Sequence, residues 1–143
     1  MKKTFGIKND YIEYKNRYGA YAIIINQDKI GIIESDKGLF LVGGEKLLGE
    51  SNEDCIKREC LEETGYHLEI INFICSADAY LNIDDLGYFH MNQSYYLAKL
   101  LEHVQESSEI SHHFKWLPIR QAQMKVAMQD WAVKYFLAQM NQI

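Results

Sequence analysis

The chain has 143 residues, of which 48% are apolar and 24% charged, and a net charge of −5. This length suits one domain with a substantial core, taken here as residues 1–143, and the acidic balance argues against non-specific binding to nucleic acid or anionic membrane. Lys2 and Lys3 lead into polar residues instead of a secretory apolar core. The longest apolar run, Ala20 to Ile25, is too short to span a bilayer, so a cytoplasmic protein is expected, with Cys55, Cys60 and Cys75 reduced and buried.

Residues 1 to 16 read as a polar and aromatic N-terminal arm with room for a short strand. From Tyr18 to Asn26 the β-branched and aromatic content predicts a buried strand. A turn at Asn26–Lys29 leads to a returning strand, Ile30 to Glu34. A second turn at Ser35–Gly38 leads to a third, Leu39 to Val42, which runs into Gly43 and Gly44. Ser51 is a good N-cap with Asp54 three residues on, and Glu53 and Asp54 suit the positive end of a helix dipole. Ile56, Cys60 and Thr64 supply the core-facing stripe of that helix, and Gly65 stands where a left-handed residue stops it. His67 to Tyr80 reads as a long or broken strand, Asn82 to Gly87 as a loop, and Tyr88 to Leu100 as a strand with a polar Asn92-Gln93-Ser94 centre. Glu102 to His113 is an acidic, histidine-bearing loop. Phe114 to Leu117 is a last strand before Pro118, followed by predicted helices at Ile119 to Met124 and Gln129 to Asn141. Strands with one central and one terminal helix point to an α/β (α+β) fold, a mixed sheet between helical layers.

The central helix carries the chemistry. Glu59, Glu62 and Glu63 fall at i, i+3 and i+4, within an arc of about 100°. Like charges at those spacings destabilise a helix and call for compensation. A hard divalent cation, which takes oxygen ligands, is the simplest candidate.

The stretch from Gly44 to Tyr66 resembles the Nudix box, G-x5-E-x7-R-E-U-x-E-E-x-G-U, where U is a bulky aliphatic residue. Gly44, Glu50, Arg58, Glu59, Glu62, Glu63 and Gly65 fill its fixed positions. Cys60 and Tyr66 stand at the U positions. Val42 and Leu47 replace a proline and a glutamate common in relatives. The resemblance to this MutT-like hydrolase family implies an α/β/α sandwich and a metal-dependent pyrophosphohydrolase. Water would attack phosphorus in a nucleoside diphosphate derivative, whether an NTP or dNTP, a sugar nucleotide, a dinucleoside polyphosphate or a capped RNA end. It implies Mg²⁺ or Mn²⁺ held by Glu59, Glu62, Glu63 and the Gly44 carbonyl. Arg58 would orient carboxylates, with Glu50 and Glu62 as its candidate partners.

The general base is Glu59 itself or an acid on the distant loop; Glu109 is the loop candidate, beside Glu106, His112 and His113. Arg17 is a candidate phosphate contact, and Tyr21 and Tyr88 are candidate base-stacking residues among ten tyrosines that mostly serve packing. The expected partner is a small nucleotide-type substrate, with no membrane and no general role for nucleic acid. A homodimer is the commonest assembly for such a protein. Two other readings use the same fold: a non-catalytic nucleotide or sugar-phosphate binder that regulates a partner, and an isomerase of allylic diphosphates.

Overall fold

A computed structural model describes residues 1–141. Its elements in order are β1 (Lys2–Phe5), β2 (Lys15–Asn26), β3 (Lys29–Ser35), β4 (Gly38–Phe40), β5 (Val42–Glu45), α1 (Asn52–Thr64), β6 (Tyr66–Ile83), β7 (Gly87–His103), β8 (His113–Pro118) and α2 (Ala127–Met140). The mixed sheet runs β1-β6-β7-β2-β3-β4, with β5 added to β2 and β8 to β3. Strand β2 is its hub. It pairs in parallel with β7 over Lys15–Ile24, and antiparallel with β5 over Gly19–Ala22 and with β3 over Ile24–Asn26.

The period-two alternation of these strands sorts their side chains between two cores. Ala20, Ala22 and Ile24 of β2 and Ala98 of β7 pack with Ile56 and Cys60 of α1. Ile23 of β2, Tyr95 of β7 and Cys75 and Ala77 of β6 pack with Ala132, Val133 and Phe136 of α2. The result is the expected sandwich, one helix on each face of the sheet. Among the described residues no helix is long and apolar enough to cross a membrane. The three cysteines are unpaired and buried.

Helix α1 follows its sequence signals. The Ser51 side chain accepts the Asp54 N–H at 3.1 Å. Gly65, at φ 78°, donates its N–H to the Leu61 carbonyl. Three expectations change. Ile119–Met124 is a turn and an irregular segment rather than a helix. Its apolar residues Ile119, Ala122 and Met124 are buried, but they join the α2-side core from irregular backbone. The third strand breaks at Leu41, whose N–H bonds to Gln129 Oε1 of α2 at 2.9 Å; the glycine pair then lies inside β5 instead of after it. The expected loop at Asn82–Gly87 shrinks to a tight turn, because β6 and β7 pair as far as Ile83 and Gly87.

The N-terminal arm is pinned by a buried carboxylate. β1 lies parallel to β6, and Asp78, only 3% exposed, accepts Thr4 Oγ1 at 2.6 Å. Asp78 also meets His90 Nε2 at 2.6 Å and Lys2 Nζ at 3.6 Å. Burial alone would raise the Asp78 pKa, but the Thr4 and His90 hydrogen bonds and the Lys2 charge together hold it below the usual value. A depressed carboxylate contributes stability above its unfolded pKa, about 3.9, and loses it as pH falls through the folded value. We expect wild-type protein to lose β1 protection below about pH 4. Asp78→Asn should show faster amide exchange at Thr4 and Phe5 at neutral pH and a smaller acid-induced loss. Hydrogen exchange read by mass spectrometry checks both.

Candidate active site

The glycine pair brings β5 against α1. Gly43 lies opposite Tyr21 of β2, and a Cβ there would sit 2.7 Å from the Tyr21 Cα at a φ of 144°. Only glycine suits that position. At Gly44 a Cβ would lie 2.7 Å from the Glu59 carboxyl carbon. The missing side chain is therefore the space in which Glu59 reaches the strand. The Gly44 carbonyl accepts the Cys55 thiol at 3.3 Å. Burial pushes that thiol up to about 11, so it keeps its proton as a donor.

Arg58 ties the acidic cluster together. Its Nε and Nη2 bond to the two oxygens of Glu50 at 2.8 and 3.0 Å, the forked geometry in which guanidinium is strongest. Nη1 reaches Glu59 Oε1 at 2.9 Å and both Glu62 oxygens at a weaker 3.4 Å. Nη2 also reaches the Glu45 carbonyl at 3.1 Å. Glu50 is the main partner, as the resemblance suggests, and Glu59 is one the sequence did not single out. Hydrogen bonds from Arg58 and the Leu47 N–H hold the Glu50 pKa down to about 2.

Glu63 faces a different setting. Its Oε1 accepts the Gly43 N–H at 2.9 Å, and the residue is 8% exposed. Burial, the larger cause, and the charges of Glu59, Glu109 and Glu62 push its pKa up to about 8 against the Gly43 hydrogen bond. Glu59 is raised too, by burial first and by Glu62 and Glu109, with Arg58 opposing. Arg58 thus neutralises one side of the cluster and leaves Glu63 without a cationic partner among the described residues.

Glu109 enters this field through its loop. Val104 and Gln105 donate to the Gly65 carbonyl, and the Ser108 N–H and hydroxyl and the Ser107 hydroxyl all reach the Glu62 carbonyl, at 2.9, 3.1 and 3.2 Å. Ser107 Oγ also accepts the Glu109 N–H at 3.1 Å. The loop is therefore fastened to the end of α1. His112 Nδ1 is shut from solvent without a hydrogen-bond partner among the described residues, 4.0 Å from Glu109 Oε2.

A cavity of about 510 Å³ opens beside Glu63 and Gly43. Tyr21, Leu41, Met91, Gln93, His112, Met128 and Gln129 contribute to its wall. The Tyr21 and Tyr95 ring centroids lie 6.0 Å apart with their planes inclined by 29°. Arg17 stands in a separate groove with Glu45 to Glu50. It lies 4.2 Å over the Phe89 ring and 3.8 Å from Glu45 Oε1. Tyr88 is not brought to the cavity; it packs edge-on against Tyr14 at 5.9 Å. Sequence reasoning missed Gln93 and Gln129. Their types carry no motif, and only the folded sheet places a strand residue and a helix residue on one wall.

Among the described residues no three acidic, histidine or cysteine side chains already converge as a metal site. Glu59 and Glu62 turn to Arg58, and Glu63 turns to Gly43. The donor chemistry nevertheless fits a hard divalent cation: carboxylate oxygens and one backbone carbonyl, with a buried acid that lacks a counter-charge.

The fold recurs in solved structures. The chain is similar to a MutT NUDIX hydrolase from Burkholderia pseudomallei, at TM-score 0.70 and 23% identity over 85% of this chain and 98% of that one. It is similar to an ADP-ribose pyrophosphatase from Streptococcus suis, at TM-score 0.62 and 19% identity over 88% and 90% of the two chains. It is also similar to a UDP-X diphosphatase, at TM-score 0.68 and 21% identity, covering 92% of this chain and spanning 65% of that one. No curated protein matches the chain significantly. A family model described as the NUDIX domain matches residues 15–139. The chain belongs to the Nudix hydrolase family.

Proposed function

We propose that the protein hydrolyses a diphosphate bond in a nucleoside diphosphate derivative with the help of Mg²⁺ or Mn²⁺. One observation carries this reading: the carboxylate cluster of α1 meets a nucleoside-sized cavity at Glu63 and Gly43. The names of two similar structures, UDP-X diphosphatase and ADP-ribose pyrophosphatase, denote diphosphate chemistry on such compounds and support the class.

In this reading Glu59, Glu62, Glu63 and the Gly44 carbonyl hold the cation. When bound, it offsets the charge of the phosphate oxygens and of the leaving oxygen. Arg58 fixes the rotamers of Glu59 and Glu62 through the fork it makes with Glu50. Glu109 takes the proton of the attacking water as the new phosphorus–oxygen bond forms and the bridging bond breaks. Glu59 is less suited to that task because Arg58 already engages its Oε1. His112 Nδ1 stands 4.0 Å from Glu109 Oε2. Tyr21 walls the base, and Arg17, in its separate groove beside Glu45, is the candidate contact for an outer phosphate; Tyr88 lies away from the cavity. The three reduced thiols support a cytoplasmic setting.

The test is a panel of nucleoside triphosphates, sugar nucleotides and dinucleoside polyphosphates with Mg²⁺ or Mn²⁺, with product identification. We expect turnover of at least one member, and Glu59→Gln and Glu62→Gln each to lower kcat by about 10²-fold or more. No turnover by wild type, or equal turnover by both variants, would sink the assignment.

A further inference from the structure

We propose that the cavity beside Glu63 selects its base by hydrogen-bond polarity. It takes a ring that turns a carbonyl oxygen to Gln93 and Gln129, as uracil, thymine and 6-oxopurines do, and disfavours cytosine and adenine, which turn an amino group there. This rests on the reading of the cavity as the nucleoside site.

Gln93 of β7 and Gln129 of α2 are 6% and 2% exposed, and both line the cavity. Buried amides need partners, and each has used its oxygen. Gln129 Oε1 accepts the Leu41 N–H at 2.9 Å. A backbone N–H can only donate, so this amide cannot be flipped. Gln93 Oε1 accepts the Tyr95 hydroxyl at 2.5 Å. What remains on each side chain is the NH₂ group. Neither has a hydrogen-bond partner among the described residues, and neither nitrogen is sealed from solvent.

The other polar wall groups do not oppose this polarity: the His112 imidazole donates or accepts according to its tautomer. Lys37 lines the cavity and is a donor only. Ser35 Oγ accepts the Lys37 N–H at 3.2 Å and keeps its hydrogen and a second lone pair, so it serves either way. The Tyr21 hydroxyl can serve either way. Glu63 lies at the phosphate end, with Oε1 engaged by Gly43. A base carbonyl satisfies the free amide donors, whereas an exocyclic amino group meets them with hydrogens against hydrogens. A site built to hydrogen-bond a ligand group discriminates strongly against an analogue that cannot match it.

The experiment compares methylene-bridged, non-hydrolysable triphosphates of uridine, cytidine, inosine and adenosine, all with the same tail. Binding to the full chain is measured calorimetrically with Mg²⁺ at pH 8. We expect uridine to bind more tightly than cytidine, and inosine more tightly than adenosine, each by about tenfold or more. Gln93→Glu and Gln129→Glu keep the oxygen that Tyr95 or Leu41 uses while removing the free donor, so each should narrow both ratios. Equal or reversed ratios in wild type, ratios unchanged in both variants, or no binding of any of the four would overturn the proposal. If the variants fail to fold, the wild-type ratios decide. Hydrolysis of the ordinary nucleotides is scored separately. An oxo preference in binding without turnover removes the hydrolase reading and leaves this one standing, while turnover with no preference in binding does the reverse.

Discussion

Glu63→Gln is expected to give a protein that is more stable and much slower in turning over substrate. The glutamine oxygen can still accept the Gly43 N–H, so the α1–β5 contact survives. The variant loses an acid whose ionised form is penalised by burial and by three neighbouring carboxylates, with a pKa pushed up to about 8. A carboxyl with a raised folded pKa costs stability progressively as pH rises from its unfolded value, about 4.3, through the folded one. The gain should therefore be small at pH 5 and largest above pH 8, on the order of 1–3 kcal/mol. Thermal unfolding of both proteins across that range without added metal tests the sign. In the same experiment Mn²⁺ should raise the Tm of wild type through binding linkage and move the variant much less. kcat should fall by about 10²-fold or more, since a ligand for the charge-stabilising cation is gone. A variant as active as wild type, or less stable than it at pH 8, contradicts the role given to Glu63.

Arg58→Lys should be almost as damaging as Arg58→Ala, although it keeps the charge. Arg58 spans Glu50, Glu59, Glu62 and the Glu45 carbonyl with three different nitrogens. A lysine ammonium is one point on a flexible stem and cannot make a two-nitrogen fork to Glu50 while also reaching Glu59. Without the fork the carboxylates repel one another and lose their set rotamers. Both variants should lose about 10²-fold or more in kcat and about 5 °C or more in Tm. Metal binding by Arg58→Lys should weaken by about 10–100-fold, as happens when a partner that orients ligands is removed. Steady-state kinetics, scanning calorimetry and metal titration read the three effects. Full activity in Arg58→Lys would show that charge alone suffices.

Legibility in the sequence followed the range of the interaction. Helix α1 could be read almost to the residue because Ser51, Asp54 and Gly65 act within a turn of it. The carboxylate arc follows from helical spacing alone. Ile119–Met124 misled because buried Ile119, Ala122 and Met124 mimic a helical face, whereas their burial comes from packing onto the α2-side core. The break at Leu41 was invisible because its N–H partner lies 88 residues away on Gln129. The polar centre Asn92-Gln93-Ser94 looked like a weakened strand. Gln93 is in fact a buried residue whose oxygen is met by Tyr95 two positions on, which needed the cavity to be recognised. The placement of Glu109 depended on three hydroxyl and amide bonds to one carbonyl of α1, for which no local pattern exists.

The parallel seam between β2 and β7 also bears on the order of folding. Helix α1 can form from neighbours in sequence, but the seam joins residues as distant as Asn16 and His90, 74 apart. Such pairings carry a loop-closure cost before any contact offsets it, and they slow folding. Tyr21 of β2 and Met91 and Gln93 of β7 line the cavity from the two sides of this seam, so the wall is complete only once the two strands pair. A chain in which the seam is open therefore displays its acidic helix beside an incomplete wall, and competence to take up a nucleotide requires this long-range closure.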